Sequence, residues 1–243
     1  CNAYGMTMCP IFDTLGADSV EFILQQTQMK ACVCTPSETL KLMVLLERAS
    51  TLKTIVQIGA IDEKTRALAK EHNIELLTTE ELMKVGHEHR VANVPPFAED
   101  VCTICYTSGT TGVPKGVLVT HRNLIAALSG CLYTGICPVT SDCYLSYLPM
   151  AHVLERVMQL AMLIGGASVG FYQGSTRTIM DDIRTLRPTV FTSVPRLLNK
   201  IYDALTEKIK QTGYVVQSLW SWGIAAKQWR MENGYDNSHW FYE

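Results

Sequence analysis

The residues best placed to do chemistry form one loop, residues 106–116, with the sequence YTSGTTGVPKG. It follows an apolar run, residues 101–105, that predicts a buried strand. Glycines let backbone N–H groups approach phosphate oxygens, hydroxyls donate to those oxygens or meet a phosphate-bound cation, and a lysine offsets negative charge. The loop therefore predicts a polyphosphate site. Its residues are Tyr106, Thr107, Ser108, Gly109, Thr110, Thr111, Gly112, Pro114, Lys115 and Gly116.

The loop departs from the Walker A pattern of nucleoside triphosphatases. Walker A places its lysine directly after the second glycine and a hydroxyl residue after the lysine. Here Lys115 lies three residues beyond Gly112 and precedes Gly116, and Pro114 removes a backbone donor. An ordinary turn rich in glycine and hydroxyls is the alternative, but this density of both exceeds what turns require.

The elements that must position this loop alternate along the chain between short apolar runs and amphipathic segments. That alternation predicts an α/β fold of mostly parallel sheets flanked by helices. We expect strands near 30–34, 54–58, 74–77, 117–119, 144–148, 167–172 and 189–192. We expect helices opening at the capping box 18–21 and at 35–38, 63, 78–81, 120, 152, 181 and 193–195. The polar, proline-containing stretch 87–100 is a candidate subdomain boundary.

Composition excludes several classes of function. Hydrophobic residues make up 47% of the 243 residues and the formal charge is −2, so the chain can build a core and offers no electrostatic case for nucleic acid. No apolar run is long enough to span a membrane. The nine cysteines lack paired zinc-ligand spacing; Cys102 and Cys105, three apart on a strand, should face opposite ways. We expect reduced, buried thiols in an intracellular protein.

Several segments together resemble a known family. Residues 106–116 resemble the signature loop of the adenylate-forming (AMP-binding) enzymes, and residues 148–156 (LPMAHVLER) resemble their second core motif. Residues 10–16 (PIFDTLG), 186–189 (LRPT) and 194–202 (VPRLLNKIY) are similar to the long-chain acyl-CoA synthetases within that superfamily.

The resemblance implies ATP-dependent conversion of long-chain fatty acids to acyl-CoA through an acyl-adenylate. ATP, Mg²⁺ and coenzyme A would be the cofactor and co-substrates. The loop from Thr107 to Lys115 would cradle the phosphates, Thr107 would contribute to the Mg²⁺ site, and His152 would lie near the acyl carboxylate. His152 and Lys115 are therefore the catalytic candidates.

Other residues leave alternatives open. Glu155 and Arg156 follow His152 in the family pattern, and a salt bridge on the helix surface is an equal interpretation. The aromatic residues 220, 222, 229 and 240–242 suggest an acyl tunnel or a membrane-facing patch, although such irregular spacing is more typical of a core.

The family's later motifs are absent from the chain. We therefore expect a partial AMP-binding domain over residues 1–243, without the small C-terminal domain, that is inactive by itself. The alternatives are a truncated, non-catalytic nucleotide-binding or interaction module, and a ligase for an aryl or amino acid. Long-chain ligases work at membrane surfaces, so the complete protein is expected at the cytoplasmic face of the endoplasmic reticulum, peroxisome or mitochondrial outer membrane, through regions outside this chain.

Overall fold

A computed structural model describes residues 1–46, 51–107 and 113–234 of the chain. It contains two compact units, Cys1–Phe191 and Thr192–Glu243. The first is a mixed α/β structure whose helices accompany small sheets, as the sequence predicts. The predicted boundary at 87–100 stays a prediction; the described chain from 89 to 100 contains neither helix nor strand.

The first sheet of the larger unit is parallel, with strand order β1-β2-β3. After a 3₁₀ turn at Asn2–Tyr4, its elements are α1 (Ala17–Thr27), β1 (Ala31–Cys34), α2 (Pro36–Leu45), β2 (Thr54–Gln57), α3 (Glu63–Glu71), β3 (Glu75–Thr78) and α4 (Thr79–Glu88). Register places Ala31 opposite Thr54 and Thr54 opposite Glu75. A core that includes Leu24, Ile55 and Leu76 fills the space between this sheet and its helices.

Local capping bonds mark the starts of two of these four helices, α3 and α4. The Asp62 side chain accepts from the backbone N–H of Thr65, and Thr78 and Glu81 form a complete capping box at the start of α4. The capping box expected at residues 18–21 is wrong, because α1 already begins at Ala17 after an extended Gly16. Helix α2 begins after Thr35 as predicted and ends at Leu45.

An antiparallel hairpin follows the stretch 89–100. It consists of β4 (Val101–Thr107) and β5 (Lys115–Thr120), and α5 (His121–Tyr133) starts directly after it at a capping box of Thr120 and Asn123. The hairpin is the antiparallel exception among the described strand ladders, the others being parallel. Cys102 and Leu124 belong to the hydrophobic cluster that joins β4 to α5.

The last part of the larger unit is a parallel pair of strands with two helices. Its elements are β6 (Cys143–Ser146), α6 (Val153–Gly165), β7 (Ser168–Phe171) and α7 (Ile179–Leu186). The strand expected at 189–192 is wrong in extent: only Val190 forms a bridge, with Tyr144. The Thr189 side chain bonds Asp142 Oδ1 and the Cys143 backbone N–H beside it, which holds the segment without a ladder.

The smaller unit contains two described helices, α8 (Pro195–Lys210) and α9 (Tyr214–Glu232). The sequence predicted α8 and missed α9. Trp220, Trp222 and Trp229 on α9 are 37%, 56% and 57% exposed, so their assignment to a core is wrong in this chain. Residues 240–242 of the same aromatic group lie outside the described residues.

All nine cysteines are free thiols. Cys102 and Cys105 are both buried, and both belong to the cluster on β4, where a register shift near residue 102 interrupts the alternation. Cys1 and Cys137 are exposed, so the expectation of burial is wrong for these two. Among the described helices, none is both long enough and apolar enough to cross a bilayer.

Candidate functional site

A cavity of about 440 Å³ lies in the larger unit, where the hairpin, the start of α6 and the chain leading into α1 meet. The hairpin contributes Tyr106, Thr107 and Pro114, and the start of α6 contributes His152. The remaining wall is made by Phe12, Thr14, Leu15 and Ser19. Residues that are 46 positions apart in sequence, Tyr106 and His152, therefore line one cavity.

The hairpin register holds together the two ends of the predicted phosphate loop, residues 106–116. Thr107, the last residue of β4, pairs with Lys115, the first of β5. The Thr107 hydroxyl also donates to the Lys115 carbonyl oxygen at 3.5 Å. Both side chains are exposed, Thr107 beside the cavity and Lys115 outside its described lining. Of the predicted loop residues, Ser108, Gly109, Thr110, Thr111 and Gly112 lie outside the described residues.

Tyr106 is the second-last residue of β4 and pairs with Gly116 of β5. Its side chain is buried, and its hydroxyl donates to Gln26 Oε1 of α1 at 2.6 Å. Burial raises the pKa of the phenol, so it remains a neutral donor. Gly116 is its partner across the hairpin, and a Cβ there would lie 3.1 Å from Tyr106 Cζ and 3.0 Å from Ile104 Cγ2. The glycine therefore gives the tyrosine ring room to cross β5.

His152 stands at the N-cap position of α6, and its side chain does not cap the helix. A backbone bond from His152 N–H to the Pro149 carbonyl, 2.8 Å, closes the turn that delivers it. The residue is exposed and lines the cavity. An imidazole in this place can reach a bound ligand.

The two charged residues after His152 are buried, so a salt bridge on the helix surface is wrong for them. Glu155 is 0% exposed and Arg156 is 7% exposed. Glu155 accepts hydrogen bonds from Tyr144, Ser146 and Gln159. Arg156 donates to the Met150 carbonyl oxygen at 3.1 Å. Both side chains turn toward the strand and loop beneath α6, where the amphipathic period of the helix places its buried face.

Sequence reasoning missed part of the cavity wall and the support behind it. Phe12, Thr14 and Leu15 lie within the segment 10–16, which the resemblance singled out without assigning it a role. Ser19 and Gln26 on α1 carried no signal, because their contacts depend on how α1 docks beside β4.

The lining divides into an apolar part, with Phe12, Leu15 and Pro114, and a polar part with hydroxyls and one imidazole. Such a cavity suits a ligand that has an apolar portion and an anionic or hydroxylated portion. The described residues contain no cluster of three His, Cys, Asp or Glu side chains that could hold a metal ion. The hydroxyl of Thr107 is a hard oxygen ligand of the kind that Mg²⁺ takes together with substrate phosphates.

Comparison with known proteins agrees with this geometry. Residues 1–230 match the AMP-binding enzyme family. The chain is 40% identical over 235 residues to the peroxisomal long chain acyl-CoA synthetase 7 of Arabidopsis thaliana, covering 96% of this chain and 33% of that protein. It is 37% identical over 216 residues to long-chain-fatty-acid–CoA ligase 5 of Mus musculus, covering 86% and 32%. The chain thus spans about a third of the length of these curated relatives.

Solved structures show the same fold at lower identity. The adenylation domain of a carboxylate reductase from Mycobacterium chelonae superimposes with a TM-score of 0.72 at 20% identity, over 84% of this chain and 34% of that one. The A-PCP didomain of the Segniliparus rugosus carboxylic acid reductase, in complex with AMP, gives 0.75 at 18% identity, over 90% and 33%. With the family match spanning all but the last 13 residues, the chain belongs to the AMP-binding enzyme family.

Proposed function

We propose that the complete protein carrying this chain converts long-chain fatty acids to acyl-CoA, with ATP as the activating substrate. The observation that supports this most is the shared cavity, in which the ends of the phosphate loop and His152 face an apolar wall. The curated relatives named above are long-chain acyl-CoA synthetases, and their identity to this chain supports the same substrate class.

In this proposal the loop cradles the phosphates of ATP. Its residues are Tyr106, Thr107, Ser108, Gly109, Thr110, Thr111, Gly112, Pro114, Lys115 and Gly116. Lys115 offsets phosphate charge, and Thr107 offers its hydroxyl to Mg²⁺. The bound cation would neutralise the charge that builds on the departing pyrophosphate.

The chemistry activates a poor electrophile. A fatty carboxylate oxygen bonds to the α-phosphorus while the bond from that phosphorus to the pyrophosphate oxygen breaks, so the product is an acyl-adenylate. The coenzyme A thiol then attacks the acyl carbon, loses its proton and displaces AMP. His152 donates a hydrogen bond to the carboxylate and orients it toward the phosphorus, while Phe12 and Leu15 contact apolar carbons.

We also propose that the complete protein acts inside the cell, where ATP and coenzyme A are available. The Arabidopsis thaliana relative named above is peroxisomal by name, which supports a peroxisomal location. The cytoplasmic face of the endoplasmic reticulum and of the mitochondrial outer membrane are the alternative locations in this proposal. Regions outside this chain would supply membrane-surface association, and nucleic acid is not among the proposed partners.

The test is fatty-acid-dependent exchange of pyrophosphate into ATP by the complete protein, together with the variants His152→Ala and Lys115→Ala. We expect exchange with long-chain fatty acids, a loss of about 100-fold in kcat/KM for Lys115→Ala, and a loss of 10-fold or more for His152→Ala, in the range of a removed electrostatic contact. Exchange that depends on an aryl or amino acid instead would contradict the substrate class. Nucleotide binding without any exchange would favour a non-catalytic module.

A further inference from the structure

Glu155, in the first turn of α6, carries a fully buried carboxylate that faces β6. The Glu155 Oε2 atom accepts from the Tyr144 hydroxyl at 2.5 Å, and Oε1 accepts from the Ser146 hydroxyl at 2.6 Å. Gln159 Nε2 donates to Oε1 at 3.0 Å and to the Ser146 hydroxyl oxygen at 2.9 Å. Taking a carboxylate out of water is unfavourable unless donors surround it, and here both oxygens accept hydrogen bonds.

These bonds close a loop. Ser146 is the last residue of β6, and Glu155 lies in the first turn of α6, so the bond between them joins the two ends of residues 147–154. Met150 lies in the middle of that segment, and its carbonyl oxygen accepts from the Arg156 guanidinium at 3.1 Å. His152 is carried by this loop and lines the cavity. Its own side chain makes no capping bond to α6, so the loop sets its position.

We propose that Glu155 is a positioning residue, which holds the loop 147–154 to β6 and thereby places the His152 imidazole in the cavity. The inference rests on the proposed function, since it takes His152 to act on the acyl carboxylate. Glu155 does not line the cavity; it acts through the loop, and Tyr144 and Ser146 are the donors that fix it.

Glu155→Gln tests this at constant side-chain volume. The amide presents one acceptor oxygen and an N–H₂ group where Glu155 has two acceptor oxygens, so one hydroxyl donor must turn away or shift. We expect kcat/KM for fatty-acid-dependent pyrophosphate exchange by the complete protein to fall about tenfold, with the KM for ATP within about twofold.

A double-mutant cycle separates positioning from general damage. If Glu155 acts through His152, then Glu155→Gln changes the rate of a His152→Ala protein by less than about twofold. The same tenfold loss in both backgrounds would overturn the proposal, as would an unchanged rate in Glu155→Gln alone. Full activity of His152→Ala would also overturn the proposal. That result would refute the proposed role of His152 and would leave the contacts of Glu155 as described.

The matched control is Asp182→Asn, at another buried carboxylate of the same unit. Asp182 is 7% exposed and accepts from Gln173 Nε2 at 2.9 Å and from the Gln173 backbone N–H at 3.4 Å, and none of its described hydrogen bonds joins it to the loop 147–154. We expect this variant to lower thermal stability and leave the exchange rate within about twofold. An equal loss of exchange in Asp182→Asn would show that any disturbed buried carboxylate has this effect, and would overturn the proposal.

A milder variant covers the case in which Glu155→Gln does not fold. Ser146→Ala removes one donor to Glu155 and leaves the carboxylate with Tyr144 and Gln159. We expect a loss of about threefold in kcat/KM that is absent in the His152→Ala background. A threefold loss that persists in that background would contradict the proposal.

Discussion

The sheet β1-β2-β3 and the β6–α6 region handle polar side chains in opposite ways. In the first, Asp62 and Glu81 lie at the starts of helices and accept from backbone N–H groups three residues away, those of Thr65 and Thr78, and Glu81 also accepts from Arg66 near the surface. In the second, Glu155 is buried, and its partners lie four, nine and eleven residues away. The first region keeps an apolar core with polar edges, while the second has a polar network inside its core.

The difference shows what each arrangement provides. A capping carboxylate stabilises one helix end and leaves the neighbouring elements free to adjust. A buried, satisfied network relates a strand, a helix and the loop between them in one geometry, because each unmade bond would leave a buried group without a partner. The cavity lies beside the second arrangement, and the role proposed for His152 would require a fixed position there.

The largest expected effect on stability is in the β6–α6 region, for Gly165→Ala at the end of α6. A Cβ at this position would lie 2.3 Å from the Pro138 carbonyl oxygen and 2.8 Å from its carbon, both backbone atoms. The helix end or the segment before β6 must move, so we expect a loss of about 3 kcal/mol in the free energy of unfolding. Chemical denaturation measures it.

Gly86→Ala in α4 is the matched control in the other region. No atom lies within 4 Å of a Cβ there, and alanine favours the helix over glycine. We expect a gain of about 0.5 kcal/mol or slightly more. Equal losses of unfolding free energy in Gly165→Ala and Gly86→Ala would contradict the comparison, because they would show that packing around Gly165 is no tighter than packing around Gly86.

The next effect is expected for Tyr144→Phe, which removes the hydroxyl that donates to Glu155 Oε2. One carboxylate oxygen then loses its described donor in a fully buried place, which should cost about 1.5 kcal/mol of the free energy of unfolding. Tyr133→Phe, at a side chain that is 95% exposed, serves as the control and should change nothing measurable. Thermal denaturation of the two variants side by side would show it, and equal melting temperatures would refute the role of the buried bond.

The smallest effect is expected at the half-buried capping box of Thr78 and Glu81, and it depends on pH. The backbone N–H of Thr78, and then Arg66, lower the pKa of Glu81 below its ordinary value of 4.5. A lowered folded-state pKa means that ionised Glu81 stabilises the fold above pH 4.5 and that this contribution disappears as pH falls through the folded pKa. Glu81→Gln should therefore lower the melting temperature at pH 7 and have a shrinking effect in acid.

The control for this pH series is Glu88→Gln at the last residue of α4. A negative charge at a helix C-terminus opposes the helix dipole, so its removal should not lower the melting temperature at pH 7. A melting-temperature difference for Glu81→Gln that stays constant from pH 7 to pH 3 would contradict the assigned cause.

Features with local causes were predictable from the sequence. The capping box at Thr78 and Glu81 appears at the predicted place, because it involves residues three apart. Helix α2 also begins after Thr35 as predicted, with Pro36 at its first position and no capping bond from the Thr35 side chain. The apolar run before the phosphate loop forms β4. The strand expected at 189–192 failed because a strand needs a partner along its length, and only Val190 meets one. Helix α9 was missed because its apolar residues do not repeat at helical spacing.

The candidate site shows the same difference between features with local causes and features that depend on packing between distant elements. The hydroxyls, glycines and lysine of the loop identified Tyr106, Thr107 and Lys115 as candidates, because their chemistry does not depend on the fold, and the resemblance to the adenylate-forming enzymes added His152. Which of them share a cavity depended on how β4, α1 and α6 pack together.

The sequence by itself determined the family, the order of most helices and strands, and the chemical character of the phosphate loop. Only the tertiary structure decided that Glu155 is buried beneath His152 and that Phe12 and Leu15 line the cavity. The physical reason is range: capping and periodicity act over three or four residues, whereas burial depends on contacts between elements that are distant in sequence.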